Sequence, residues 1–497
     1  MAIAKVCGIE TEYGIHVLGG DPNPILASSV LINAYAQNVA RQQTGWDFED
    51  ETPGVDARGG APAGAQPPMV ETHLVNTVLS NGARYYVDHA HPEYSSPECL
   101  DALECVRYDR AGDLIVIRSM EEADRTSWDG SRLVAYKNNS DSKGNSYGCH
   151  ENYLMDREVP FFRVVQGVTP HFVTRQIFTG AGKVGSETGR YEPGSVLFQL
   201  SQRAEFFEEE VGLETTIKRP IVNTRDEPHA DPSRYRRLHV IVGDANLCQV
   251  ATFLKVGTTA LVLAMIEDGV TLSRNLSLDD PVRAMHEVAC DLSFTHPLRM
   301  ADGSRASALD LQNVLYEAAV NYAESRGLEA LGPEVVGREI LRRWGEVLHG
   351  LETDPMSLGR QLDWVAKLSI LEGYRDRHGC DWGDPRLAAV DLQYHDLRPD
   401  KSLFRKLDTE VLVSDEDAMV AVTDPPRGTR AWFRGRCLQR WPQSVAAANW
   451  DSMVFDLGSD PLRRVPMMDP LKGTADHVEA LIESCEDPRE LLRRLEA

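Results

Sequence analysis

The chain has 497 residues, 42% apolar and 26% charged, with 76 acidic against 52 basic residues and a formal net charge of −24. That length exceeds one ordinary core and predicts a large catalytic-size domain with a smaller one beside it. The acidic balance excludes a general nucleic-acid binder and a partner for anionic membranes, so an acidic partner would need a local basic groove. Nine cysteines without C-x-x-C spacing, and no signal-peptide pattern before them, read as reduced thiols of a cytoplasmic protein.

In chain order, "AIAKVCGIETEYGI" alternates as a strand, with Gly8, Glu10 and Glu12 on one face and Cys7, Ile9 and Thr11 on the other. A helix is expected from about Ser28 to Gln42. The segment from 43 to 68 is dense in Gly, Pro, Ala and acid without a period, which predicts a long mobile loop of the kind that serves as a lid. "RYYVD" then alternates, placing Arg84, Tyr86 and Asp88 on one face. Ser95 or Ser96 is expected to cap a following helix. The stretch 133 to 153 reads as strand, polar turn and strand or helix start, and "RLHVIVGDANL" (237 to 247) as a buried strand. From about 250 to 380 the apolar spacing is helical. "TTALVLAMI" (258 to 266) is far short of the roughly 20 residues that span a membrane. A linker near 422 to 432 divides domains 1–424 and 425–497, the second ending in the amphipathic "DPRELLRRLEA".

Same-face acids at Glu10 and Glu12, beside Asp88 and Glu93, make a carboxylate-rich sheet surface that repels itself unless cations neutralise it. The hard-oxygen set of Glu10, Glu12 and Glu93 suits Mg²⁺ with substrate phosphates, whereas "HAH" lacks the thiol pair or H-E-x-x-H helix of a zinc site. "TGAGKVGSETG" (179 to 189) is no phosphate loop of the Walker type, because Val184 follows its Gly-Lys. Glu151 and His239 offer further polar candidates. "SRYRRLH" (233 to 239) is either salt-bridged surface or the local basic groove.

Taken together, "GIETEYG", "NGARYYVDHAHPEYSSPE", "KNNSDSKGNSYGCHENY", "NTRDEPHADPSRYRRLHVIVGDAN" and "NWDSMVFDLG" resemble the family of Pup ligases and Pup deamidase/depupylases, relatives of glutamine synthetase. The resemblance implies an α+β fold in which a glutamine synthetase-like antiparallel sheet, packed by helices, forms a concave active-site cradle, with a small C-terminal domain. Asp-His-Ala-His-Pro-Glu-Tyr, one residue shorter than the ligase stretch, and the segment 43 to 68 both resemble the depupylase branch. That branch deamidates the C-terminal glutamine of the ubiquitin-like modifier Pup and removes Pup from lysines. Carried over by position, Glu10, Tyr86 and Glu93 correspond to Mg²⁺-site residues, Arg84, Ser96 and Trp450 to ATP (or ADP plus phosphate) contacts, and Asp88 to the catalytic aspartate. Local chemistry adds Glu12 and Glu151 to the metal set, His239 to the cofactor site and Arg225 as an oxyanion stabiliser. The implied partners are Pup and pupylated proteins, bound by a monomeric cytoplasmic enzyme that engages neither nucleic acid nor membrane.

Overall fold

A computed structural model describes residues 1–40, 44–49, 51–59, 74–127, 130–192, 194–458 and 461–495. Its frame is a ten-stranded sheet. Strands β1 (Cys7–Glu12), β3 (Gly45–Trp46), β4 (Asn76–Val78), β5 (Arg84–Asp88), β6 (His91–Ser95) and β8 (Cys149–Asp156) form its centre, in the order β8, β1, β6, β5, β4, β3. Tyr235–Val240 closes the side beyond β8, while Val445–Ala448, Ser452–Phe455 and Arg463–Pro466 extend the other side from β3. A separate hairpin pairs β2 (Gly14–Leu18) with β7 (Arg132–Tyr136).

Alternation decides which face is wet. Ile9, Tyr85, Val87, Tyr94 and Tyr153 point to the helical side and are almost fully buried. There they meet α2 (Ala102–Thr126) and the helix Gln249–Glu267. Helix α2 lies so close to the sheet that a Cβ at Gly112 would stand 2.4 Å from the Tyr94 ring. The Gln249–Glu267 helix extends well beyond the expected 258–266 segment, and it packs inside the molecule, with Leu254, Leu261 and Leu263 fully buried.

Two helix boundaries differ from expectation. Helix α1 begins at Pro24, where Asn23 caps the Leu26 N–H, and after Asn33 it continues as a π-helix to Val39; the expected end at Gln42 lies outside the described residues. Ser95 and Ser96 cap no helix, because pairing with β5 and β1 carries β6 on to Ser95; Asp101 caps α2 through the Leu103 and Glu104 N–H groups.

The C-terminal strands and the helices Ala431–Arg440, Ala475–Ser484 and Pro488–Leu495 enclose a second apolar cluster. Phe433, Leu438, Phe455, Ile482 and Leu491 form it, and Trp46 and Val78 of the larger unit complete it. The expected linker is no loose tether. Arg430 and Arg434 clamp Glu98, and Thr429 Oγ1 donates to the Glu98 carbonyl at 2.8 Å.

The segment 43 to 68 is only partly described, and its residues 43, 50 and 60–68 lie outside the described set. What is described makes a strap rather than a free loop. β3 pairs in parallel with Val445–Ala448, the Ala57 N–H donates to Thr224 O at 2.8 Å, and the Asp226 N–H donates to Val55 O at 2.8 Å. These long-range backbone pairings are of a kind that an aperiodic sequence does not announce.

Candidate active site

Register gathers the acids. Glu12 lies opposite Glu93 in the β1–β6 pair, and Glu93 opposite Tyr86 in β5–β6, so all three side chains stand on the open face. Asp88 ends β5 opposite His91. Glu12, Asp88 and Glu93 each bring an oxygen within 4.8 Å of the others. Burial, followed by repulsion from Asp88, Glu12 and Glu10, raises the Glu93 carboxyl well above the usual carboxylate range. Such a set of hard oxygens, one of them unable to ionise alone, fits a divalent cation of the Mg²⁺ type.

A second group lies beside the first. Glu10 pairs across to His150 on β8, and with His239 of the next strand their ligand atoms also fall within 4.8 Å. Burial opposes ionisation of Glu10, but the His150 hydrogen bond and the charges of His239, His150 and Arg237 hold it well below its ordinary range. His239 is oriented by Asn152 Oδ1, 3.0 Å from its Nδ1, and burial pushes its pKa down.

The two histidines of "HAH" each meet a carboxylate of the cluster. His89 adopts φ 51° in the two-residue turn between β5 and β6, with Nδ1 2.9 Å from Asp88 Oδ2. Ser28 Oγ ties that turn to α1 by donating to Ala90 O at 2.8 Å. His91 stacks on Tyr147 at 4.3 Å and places Nδ1 3.4 Å from Glu12 Oε2. Burial disfavours the Glu12 anion, yet His91, His150 and Arg203 bring its pKa down to about 2. The Gly148 N–H donates to Glu12 Oε1 at 2.8 Å; a Cβ at Gly148 would sit 2.6 Å from that oxygen, so only glycine permits the approach.

At the other end of β1 a cavity opens between the sheet and the C-terminal unit, lined by Gly8, Ser96, Arg237, His229, Arg430 and Trp450. Ser96 Oγ accepts the Ile9 N–H at 2.9 Å, and a Cβ on Gly8 would stand 3.2 Å from that oxygen. Arg84 projects beside it, its guanidinium between the rings of Trp46 and Tyr86. Trp46 meets Trp450 edge-on at 5.2 Å. The cavity thus offers aromatic and cationic surface a short step from the carboxylates, which suits a base and its phosphates. Arg225 pairs by backbone with Asp56 of the strap, and its Nε is buried without a partner.

One expected ligand is elsewhere. Glu151 lies opposite Ile9, so it points to the helical side, fully buried in a two-pronged pair with Arg175 at 2.6 and 2.8 Å. It cannot join the open-face cluster. Nor is "SRYRRLH" a free cation patch: Arg234 pairs with Asp469, Arg236 faces Asp226, and Arg237 lies between Glu10 and Glu227. Lys183 of the glycine-dense loop is taken by Glu205 and Glu187. Residues the sequence did not single out are Trp46, His150, Arg430 and Arg434; of these only His150 carried a signal, its alternation with Asn152.

Comparison with known proteins agrees with this geometry. The family described as "Pup-ligase protein" matches residues 5–454. A depupylase of Acidothermus cellulolyticus is 51% identical, covering 99% of both chains, and a Pup deamidase/depupylase of Mycolicibacterium smegmatis is 48% identical over the same shares. The Pup ligase PafA in complex with Pup superposes with a TM-score of 0.80 at 31% identity, covering 97% of this chain and 91% of that one. The same ligase in complex with ADP gives 0.75 at 35%, covering 82% and 89%.

Proposed function

The chain belongs to the Pup-ligase family, and from that premise we propose that it works as a Pup deamidase and depupylase. It hydrolyses the side-chain amide of the C-terminal glutamine of Pup to glutamate, and cleaves the isopeptide bond between Pup and a substrate lysine. Both reactions present the same glutamyl carbonyl, so one site serves both. The observation that carries the reading is Asp88, set against Glu12 and Glu93 on the open sheet face next to the cavity beneath Trp450, in a chain that matches depupylases end to end.

The cavity binds ATP or its products. Trp450, Ser96, His239 and Arg84 are its proposed contacts, with Arg430 and Arg237 at its walls. Glu12 and Glu93, with Asp88 beside them, would hold one Mg²⁺, and Glu10 with His150 and His239 a second ion; Tyr86 supports Glu93 by a hydrogen bond. Bound there, the metal would supply positive charge to polarise the carbonyl, and the phosphate a template that positions it. Asp88 acts at that carbonyl, as nucleophile or as base toward water, with His89 fixing one of its oxygens. Arg225, with an unspent buried Nε, stabilises the developing oxyanion. Residues 425–497 form the small domain that closes the nucleotide side.

The proposal includes a monomeric cytoplasmic enzyme without nucleic-acid or membrane partners. Its charge of −24 supports a local basic lining, since acidic Pup can approach only where cations gather. The decisive experiment incubates the chain with nucleotide, Mg²⁺ and Pup ending in glutamine, then with a pupylated protein. A gain of about one dalton in Pup, and release of the unmodified protein, are expected. Pup joined to lysines instead, with no deamidation, would show a ligase.

A further inference from the structure

Helix α1 is apolar on both of its faces. Ala27, Leu31 and Ile32 are buried, as helical spacing requires of a helix lying on a core. Ile25, Leu26 and Val30 lie on the opposite face and remain 44, 53 and 45% exposed. Residues 22 to 40 contain no charged side chain, in a chain of which 26% is charged. The helix Glu334–Thr353 shows the usual outer face, where Arg338 and Arg342 pair with Glu334, Glu339 and Glu346. On α1 even the one hydroxyl among the aliphatics turns inward, Ser29 Oγ donating to Ile25 O at 2.9 Å. Single exposed aliphatics are ordinary, but three on one charge-free helix face mark a surface that a partner covers.

The place of α1 says which partner. Ser28, fully buried, donates to Ala90 O at 2.8 Å, in the two-residue turn that follows Asp88. A helix with its side chains is about 10–12 Å across. The outer face of α1 thus lies about one helix diameter from the catalytic turn. In depupylation the bond that reacts beside Asp88 joins Pup to a lysine, and an extended lysine side chain spans only about 6 Å. The protein that bears the lysine is therefore held against the rim around that turn. An interface of standard size covers about 800 Å² on each partner, wide enough to take in the outer face of α1.

Charge points the same way. The chain carries a net charge of −24, so a further acidic rim would repel acidic proteins, and a basic rim would select by charge among proteins. A neutral aliphatic face attracts without direction or sign. It suits a leaving group that differs from one pupylated protein to the next.

We propose that the outer face of α1, through Ile25, Leu26 and Val30, docks the protein moiety of a pupylated substrate beside its modified lysine. This rests on the deamidase/depupylase reading and deepens it. The face serves isopeptide cleavage alone, because deamidation of Pup releases only ammonia and brings no protein to the rim.

The test compares three substrates on the wild-type enzyme and on the double variant Leu26→Glu, Val30→Glu, with Mg²⁺ and nucleotide present. They are Pup ending in glutamine, Pup joined to the lysine of a short peptide, and Pup joined to a folded protein. Leu26 is the third residue of α1, where an acid suits the helix N-terminus, so the helix should persist. For the folded protein the variant's KM should rise roughly 5- to 30-fold with kcat little changed. Deamidation, cleavage of the Pup–peptide conjugate and nucleotide affinity should stay within about twofold. An unchanged KM for the folded protein overturns the proposal. So does an equal loss on all three substrates, which would show that α1 acts on Pup or on the Asp88 turn. Wild-type enzyme inactive on Pup ending in glutamine would remove the deamidase reading itself, and this proposal with it.

Discussion

The guanidinium carbon of Arg84 lies 4.0 Å from the Trp46 ring centroid and 3.9 Å from that of Tyr86. One aromatic face comes from the catalytic strand and the other from the strap that precedes it. Trp46 in turn is fixed by Glu51, which accepts its Nε1–H at 2.6 Å, and by the pairing of β3 with Val445–Ala448. Replacing Trp46 by Ala removes one wall of the sandwich while leaving Arg84 in place. A cation–π contact of this kind contributes about 0.5–2 kcal/mol, so nucleotide affinity should weaken by roughly 2- to 30-fold. Isothermal titration of the variant with nucleotide decides it, and unchanged affinity would show that Arg84 needs no second ring.

Asp88 belongs to the acid cluster and does not itself line the neighbouring cavity. Asp88→Asn keeps its size and removes its charge. Deamidation and depupylation should both fall on the order of 10³-fold or more, as for loss of a group acting at the reacting atom. Nucleotide binding should persist. If nucleotide binding is lost with activity, Asp88 is a metal or structural residue instead.

The fold's central strands were legible because a period of two survives in "GIETE" and "RYYVD". Faces follow directly from that parity, and Glu10, Glu12, Tyr86 and Asp88 fall where alternation puts them. Glu151 shows where parity alone fails. Neighbouring residues of β8 point to opposite sides, and only the pairing of Glu151 with Ile9 tells which side is the core. Long-range partners were invisible for another reason. The Glu98 clamp joins residues 332 and 336 positions away, and local pattern carries no trace of such a contact. Trp46 hid in a two-residue strand within an aperiodic stretch, too short for any period to register.

Glu98 anchors the C-terminal unit, so its charge should set the acid limit of that unit. Burial opposes the anion, but Arg434 and Arg430 outweigh it and hold the pKa down to about 2, against an ordinary 4.5. A depressed folded value means stability that is present above 4.5 and lost as pH falls toward 2. Glu98→Gln leaves two buried arginines without their anion and should cost about 3 kcal/mol at neutral pH. The gap between wild type and variant should then close as pH drops through that window. Denaturant unfolding at pH 7 and at pH 3 checks this, and a gap independent of pH would mean that packing, not charge, anchors the unit.

Glu93 has the opposite sign. Burial and the charges of Asp88, Glu12 and Glu10 raise its folded pKa well above the ordinary 4.5. A raised folded value gives stability that is full below 4.5 and is lost as pH rises toward the folded value, so the metal-free protein carries a strained carboxyl cluster at neutral pH. Glu93→Gln removes that repulsion at nearly constant volume. The metal-free variant should therefore melt higher than metal-free wild type at pH 7.5, by roughly 1 °C for each kcal/mol of repulsion relieved in a chain of this size. Mg²⁺ should reverse the order, because it stabilises the wild type through mass action and the variant lacks one of the ligands that would hold it. Calorimetry in chelator and then in Mg²⁺ separates the two effects. A variant less stable than wild type in chelator would show that Glu93 is already compensated by protein groups and that the cluster does not need a cation.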